Sequence, residues 1–242
     1  NEVRLLYLDD DSQSQWVDAA TLHPAVRSPA DLVLDYSHMQ QLGRSLAKVE
    51  RLDLSGLSMS AESVAAFAQA VDWAAAPLCR LVFVTTGEKD DRCQCQLDAE
   101  DAVMDLSSKG LGSADGSLVA SWLTKPDVRS TVAQLDLTDN AIGVDAGRDL
   151  IRSLEQLPNL ATVTIGRQLP IKEPLGSSSL DLSAQGIDSG LACILAWWLA
   201  LPVNSSLTEV DLSRNELGLG GGKALADAIP SASLASLQCI VV

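Results

Sequence analysis

Aromatic residues are scarce in this sequence, at 4% of 242 positions, although 47% of residues are apolar. A core must therefore come from Leu, Val and Ala, which favours regular stacking of small elements over packing around a few large rings. Long hydrophobic runs are missing as well. The longest, LACILAWWLALPV from Leu191 to Val203, falls short of the ~20 residues a membrane-spanning helix needs, so no membrane insertion is expected. Basic residues are outnumbered, 17 against 32 acidic ones, for a formal charge of −15. That balance argues against nucleic acid and anionic membranes as partners, because phosphate surfaces attract cations. No basic secretory leader is visible, since the first residues, NEVRLLYLDDD, are acidic; the opening on Asn1 rather than Met leaves room for an upstream segment. The five cysteines are odd in number and form no framework of close pairs, so a reducing compartment is expected, intracellular and cytoplasmic.

Catalytic constellations are equally thin. The two histidines, His23 and His38, have no Ser or Cys grouping nearby that would suggest a triad. Aspartate is spread too widely for an acid–base pair to stand out. Cys93 and Cys95 lie among Asp90, Asp91, Asp98, Glu100 and Asp101, but a zinc site wants four ligands and no second pair or histidine is near. The expectation is no enzyme, no metal and no cofactor.

What the sequence does have is self-similarity. Alternating phrases recur around Leu52 (RLDLSG), Leu81 (RLVFVT), Met104 (VMDLSS), Leu135 (QLDLTD), Val163 (TVTIGR), Leu180 (SLDLSA), Val210 (EVDLSR) and Leu237 (SLQCIV). Two weaker phrases, at Leu6 and Leu32, extend the series. A further apolar residue stands three positions earlier at Val49, Leu78, Val132, Leu160, Leu207 and Leu234. Alternation over so short a run predicts strands with one buried face. Between phrases the period lengthens to that of an amphipathic helix, with Ser, Asp or Gly near each start and a proline at the stop: Pro77, Pro126, Pro158, Pro202 and Pro230. One strand–helix unit cannot bury its own apolar faces, so copies must stack. Strands stack at ~4.8 Å and helices at ~10 Å, which predicts an arc with the sheet inside.

Two segments, VAQLDLTDNAIGVDAGRDLIRSL and LTEVDLSRNELGLGGGKALADAI, closely resemble the leucine-rich repeat family, in its ribonuclease-inhibitor-like class. Both match its pattern of Leu-x-x-Leu-x-Leu-x-x-Asn-x-Ile/Leu-Gly followed by a helix. The resemblance implies an α/β solenoid: a curved horseshoe with a parallel β-sheet on the concave face and helices on the convex face. It would be one continuous domain, with degenerate repeats or a cap over 1–48 and repeats over 49–242. Repeats near 85–103 and 166–179 are shortened and show no amphipathic helix, so they are expected to be irregular loops. Only Asn140 and Asn215 fill the Asn position, where the family's side chain satisfies backbone groups of the turn; looser turns are expected elsewhere.

The stretch VDLSRNELGLGGGKALADAI also has the order of a phosphate-binding loop: strand, glycines, lysine, helix. The glycine run is one residue short, however, and Ala224 stands where a magnesium-binding hydroxyl would. Alignment of the copies places Gly222 with Gly147, Gly116 and Ala192, a small-residue position expected to let helices start close to the sheet, and Lys223 with Arg148.

The x of each phrase is Asp53, Val82, Asp105, Asp136, Thr164, Asp181, Asp211 and Gln238. Five aspartates would line the strand face, with Arg51, Arg80 and Arg214 at its edge. Leu-Asp-Leu-Ser is a common phrase of the family, and it also predicts an acidic stripe for a protein partner with a basic surface. Trp122 and Trp198 share one position, expected to be core, which leaves Trp197 as a candidate exposed anchor. The functional expectation is a non-catalytic protein–protein interaction or scaffold module, a subunit or segment of a larger assembly. Alternatives are a small-GTPase regulator, since Ran GTPase-activating proteins resemble the same class, or an inhibitor of a basic enzyme. The apolar final phrase predicts that a partner or further chain covers the C-terminal end.

Overall fold

Leucine at the centre of each short phrase is what the structure buries. In the computed structural model, residues 37–57, 59–87, 92–229 and 236–242 are described. The weak phrases at Leu6 and Leu32, His23, Asp90, Asp91, Pro230 and Leu234 lie outside them.

The strands follow the predicted phrases: β1 Arg51–Asp53, β2 Arg80–Val84, β4 Val103–Asp105, β5 Gln134–Asp136, β6 Thr162–Thr164, β8 Ser179–Asp181, β9 Glu209–Asp211 and β10 Cys239–Val241. Two more were not foreseen, β3 Gln94–Asp98 and β7 Gln168–Pro170. Helices intervene as α1 Ser37–Arg44, α2 Ala61–Ala70, α3 Ser113–Trp122, α4 Pro126–Thr131, α5 Gly143–Leu154, α6 Ser189–Leu199 and α7 Gly218–Ala228. Pro126 opens the short α4 rather than only ending α3, because a missing N–H is harmless in a first helical turn.

The expected continuous, curved parallel sheet is not what forms. The described residues form three small sheets, ordered β1-β2-β3, β4-β5-β6-β7 and β8-β9-β10. The two segments expected to be irregular loops fold back as hairpins, β3 antiparallel to β2 and β7 antiparallel to β6. Each hairpin occupies the edge on which the next parallel strand would have paired, so the sheet stops there. The reading of the chain as a leucine-rich-repeat solenoid of the ribonuclease-inhibitor-like class is corrected accordingly. The physical reason lies in Gln94–Asp98: Cys95 and Leu97 alternate with exposed glutamines and are buried opposite Phe83 and Leu81. A period of two buries more here than an unpaired loop would.

One register slips. Ile240 pairs with Val210, and Val241 with Asp211, so Leu237 is the preceding apolar residue and Gln238 does not occupy the aspartate position. Four of the turns share one geometry. The residue four places after the strand centre is left-handed in Ser108, Asp139, Ala184 and Arg214, with φ of 50°, 55°, 52° and 62°.

The helical layer is not interrupted where the sheets are. Successive helices α1, α2, α3, α5, α6 and α7 pack each on the next, through small residues. A Cβ on Gly116 would lie 2.8 Å from that of Ala146, one on Gly147 would lie 2.5 Å from the Gly190 carbonyl oxygen, and one on Gly221 would lie 2.6 Å from that of Ala192. The packing glycine of α7 is thus Gly221; Gly222, predicted to play that part, has nothing within 4 Å of its Cβ position. The glycines sit inside or at the start of a regular helix and build no phosphate loop.

Backbone cannot retreat as a side chain can, so Gly147→Ala is expected to destabilise the chain by about 1–3 kcal/mol. Gly56→Ala, with open space around it, should change stability by no more than about 0.5 kcal/mol. Urea unfolding followed by circular dichroism measures both.

Candidate protein-interaction surface

The five aspartates sit at strand ends, and each does a local job first. Asp53 Oδ1 accepts a hydrogen bond from the Ser55 N–H at 2.8 Å, Asp105 from Ser107 at 3.0 Å, and Asp136 from Thr138 at 2.9 Å. Asp181 accepts from Ser183 and Asp211 from Ser213, both at 2.9 Å. Aspartate is favoured here because its short carboxylate reaches the backbone two residues on and holds the chain as it leaves the strand. At Asp105 and Asp181 the serine hydroxyl donates as well, at 2.7 Å in each case.

Sheet division redistributes the predicted stripe. Asp105 is aligned with Asp136 and Asp181 with Asp211, so two carboxylate pairs form on neighbouring strands, while Asp53 stands beside Val82 on another sheet. Asp53, Asp105 and Asp181 are exposed, and Asp136 and Asp211 half-buried. Thr164 closes one pair on β6.

The arginines differ among themselves. Arg80 is opposite Asp98 in the hairpin, and its Nε donates to Asp98 Oδ1 at 2.6 Å, which raises the guanidinium's pKa further. Arg51 is aligned with Arg80 on β1, and Arg214 is exposed at a left-handed turn residue. Arg80 is therefore committed to the hairpin, a role that the sequence, with no β3 in view, did not disclose.

Cys95 is fully buried, and burial pushes its thiol up to about 12. The Cys93 thiol donates to the Lys109 carbonyl at 2.9 Å. Among the described residues no cluster of three or more His, Cys, Asp or Glu is arranged to hold a metal. Trp122 and Trp198 are both fully buried, Trp198 donating from Nε1 to the Pro170 carbonyl at 2.7 Å. Trp197 is half-buried against the core and is not the exposed anchor foreseen for it. No helix among the described residues is long and apolar enough to cross a membrane.

Buried and half-buried polar residues tie successive turns together. Asn140 Oδ1 accepts from the Leu111 N–H at 2.9 Å, and its Nδ2 donates to the carbonyls of Leu106 and Leu137 at 2.8 and 3.0 Å. Asn215 repeats this with Gln185, Ile187, Leu182 and Leu212. Asp115, wholly buried, was not singled out from sequence. Its Oδ2 accepts from the Thr86 N–H, the Thr86 hydroxyl and the Gly112 N–H at 2.7, 2.9 and 2.8 Å. The one available signal was its place in the first turn of α3, where a carboxylate meets free N–H groups.

The leucine-rich repeat family matches residues 203–226. That span covers β9 and most of α7, about a tenth of the chain, and marks one motif rather than the whole architecture. No curated protein matches.

The serine hydroxyl and amide hold the carboxyls of Asp105 and Asp181 below the ordinary aspartate value. Folding therefore favours their ionised form. The stabilisation is present above the unfolded-chain pKa of about 4 and is lost as pH falls through the lower folded values. Carboxyl 13C shifts recorded against pH should show these two titrating below the ordinary aspartate value of about 4. Thiol labelling at pH 8 should modify exposed Cys239 first and leave Cys95 unreacted until the chain unfolds.

Proposed function

We propose that this chain is a non-catalytic protein-interaction or scaffold module, intracellular and cytoplasmic, whose strand-end aspartates attract a basic surface of another protein. The observation that supports the reading most directly is the alignment of exposed Asp105 with half-buried Asp136, and of exposed Asp181 with half-buried Asp211, at neighbouring strand ends. Paired carboxylates held by their own turns are already oriented, so a cationic partner meets them with little ordering still to do. Their second oxygens remain available: each of the five turn bonds uses Oδ1 alone. The predicted flanking arginines contribute at Arg51 and Arg214, while Arg80 is neutralised by Asp98. All five cysteines are free, in keeping with a reducing compartment.

Asparagine preserves the turn, because its amide oxygen also accepts from the backbone, and removes the charge. The test is affinity capture from a cell extract with the wild-type chain and with a variant carrying Asp105→Asn, Asp136→Asn, Asp181→Asn and Asp211→Asn. Proteins retained by the wild type should be lost by the variant. Titration with a purified retained protein should show affinity falling at least about tenfold between low and physiological salt. Retention that survives both the substitutions and the salt defeats the reading.

A further inference from the structure

Position by position, the helices repeat one pattern on the side that receives the next helix. Counted from the strand centre, positions 12, 16 and 19 are Gly116, Ala120 and, capping the end of α3, Leu123, and Ala192, Ala196 and Leu199 in α6. All six are buried, and Gly116 and Ala192 lie against the following helix at Ala146 and Gly221. In α5 the same positions are Gly147, Ile151 and Leu154, with Ile151 half-buried and the others buried. In α7 they are Gly222 and Ala226 and, at its C-cap, Ile229, still small or apolar, but Ala226 is exposed, Ile229 is 44% exposed and Gly222 has nothing within 4 Å of its Cβ position. Position 9, Ser113 or Ser189 in α3 and α6, is Leu219 in α7 and 93% exposed. Five large hydrophobic residues are exposed among the described ones; four of them, Leu219, Ile229, Val241 and Val242, belong to α7's outer stripe or to the β10 end. An apolar patch so concentrated marks a contact surface.

The structure assigns this face to a second copy of the chain, related by a two-fold axis that passes beside β10. Three features favour like-to-like pairing. The stripe Leu219, Gly222, Ala226, Ile229 runs large, small, small, large, with spacings that read the same in both directions. Laid antiparallel, Leu219 meets Ile229 of the second copy, and the small residues meet at the crossing, as Gly147 and Gly190 do within the chain. Next, β10 is an edge strand among the described residues. The same axis sets two such edges antiparallel, a pairing this fold already uses at β2–β3 and β6–β7. Last, α7 and β10 carry only Lys223 and Asp227 as charged residues, so two copies of a chain with net charge −15 meet where neither is charged overall. This pairing uses a different face from the aspartate surface and does not depend on it.

Light scattering coupled to size exclusion, over about 1 to 100 μM, should give twice the 25.5 kDa chain mass at the upper end. Leu219→Glu, at a site too exposed to matter for folding, should weaken dimerisation at least about tenfold with an unchanged circular dichroism melt. With Ile240 on the axis, Cys239 faces position 241 of the second copy. Val241→Cys should then give a covalent dimer under mild oxidation, abolished by adding Cys239→Ser. A 25.5 kDa monomer throughout, a dimer indifferent to Leu219→Glu, or a dimer with no cross-link would each overturn the assignment.

Discussion

A β-strand has two edges, and each edge can be paired only once; the layout of this chain follows from which segments reach those edges first. β1 and β2 pair in parallel, and the next parallel strand would have lain against the open side of β2. Gln94–Asp98 is closer in sequence and needs only the segment after Val84 to turn back, so it takes that side. Loop closure over a few residues is easier than a crossover through a whole helix. The same competition closes β6, where Ile165 N–H bonds the Arg167 carbonyl in a turn carrying Gly166 at φ +93°. Left-handed φ suits glycine, and it lets β7 return at once.

Aspartate at the strand ends serves two physical purposes, and the structure separates them by atom. One carboxylate oxygen satisfies the outgoing turn, a role any solvated copy of the phrase would need. The other oxygen and the net charge remain, and like charges on neighbouring strands repel. That repulsion is tolerated because the groups face water, and it would be relieved by a cation. A residue required for the turn thus supplies electrostatic character at no further structural expense, which is why the phrase by itself does not distinguish a fold from a binding surface.

Much of the secondary structure was legible because it is local. Burial of one side chain in a three-residue strand leaves an alternating phrase, and eight of the ten strands were found through it, β10 with a register error of three residues. That slip arose because Leu237 and Ile240 are both apolar and only pairing with Val210 decides between them. The shared burial of Trp122 and Trp198 was legible for the same reason as the strands: both sit at one position of the unit. Sheet division was not. Gln-Cys-Gln-Leu-Asp does alternate, but without a leucine phrase or a flanking helix it looked like a loop, and its competition with a distant strand has no local mark. Gly221 and Gly222 illustrate a finer limit, since neighbours in a glycine run differ only in the direction their absent side chains would take.

Where the sheets break, side chains replace the missing ladder. Between the first and second sheets, Asp115 binds Thr86, the Gly87 N–H reaches the Gly110 carbonyl, and buried Lys125 donates to the Ala76 carbonyl at 2.8 Å while lying over Trp122. Burial raises the Asp115 pKa, opposed by its three donors, so the carboxylate is costly to keep and worth keeping only because those donors would otherwise be unsatisfied. Between the second and third sheets, Asp188 caps α6 through Gly190 and Leu191, and its other oxygen accepts from the Gly143 N–H at 2.7 Å. Such bonds are directional and partly shielded from water, so they tie the chain across the breaks in the sheet. The continuity lost from the strands is carried by helices that touch through glycine and alanine, and by a few buried polar groups that hold adjoining turns in register.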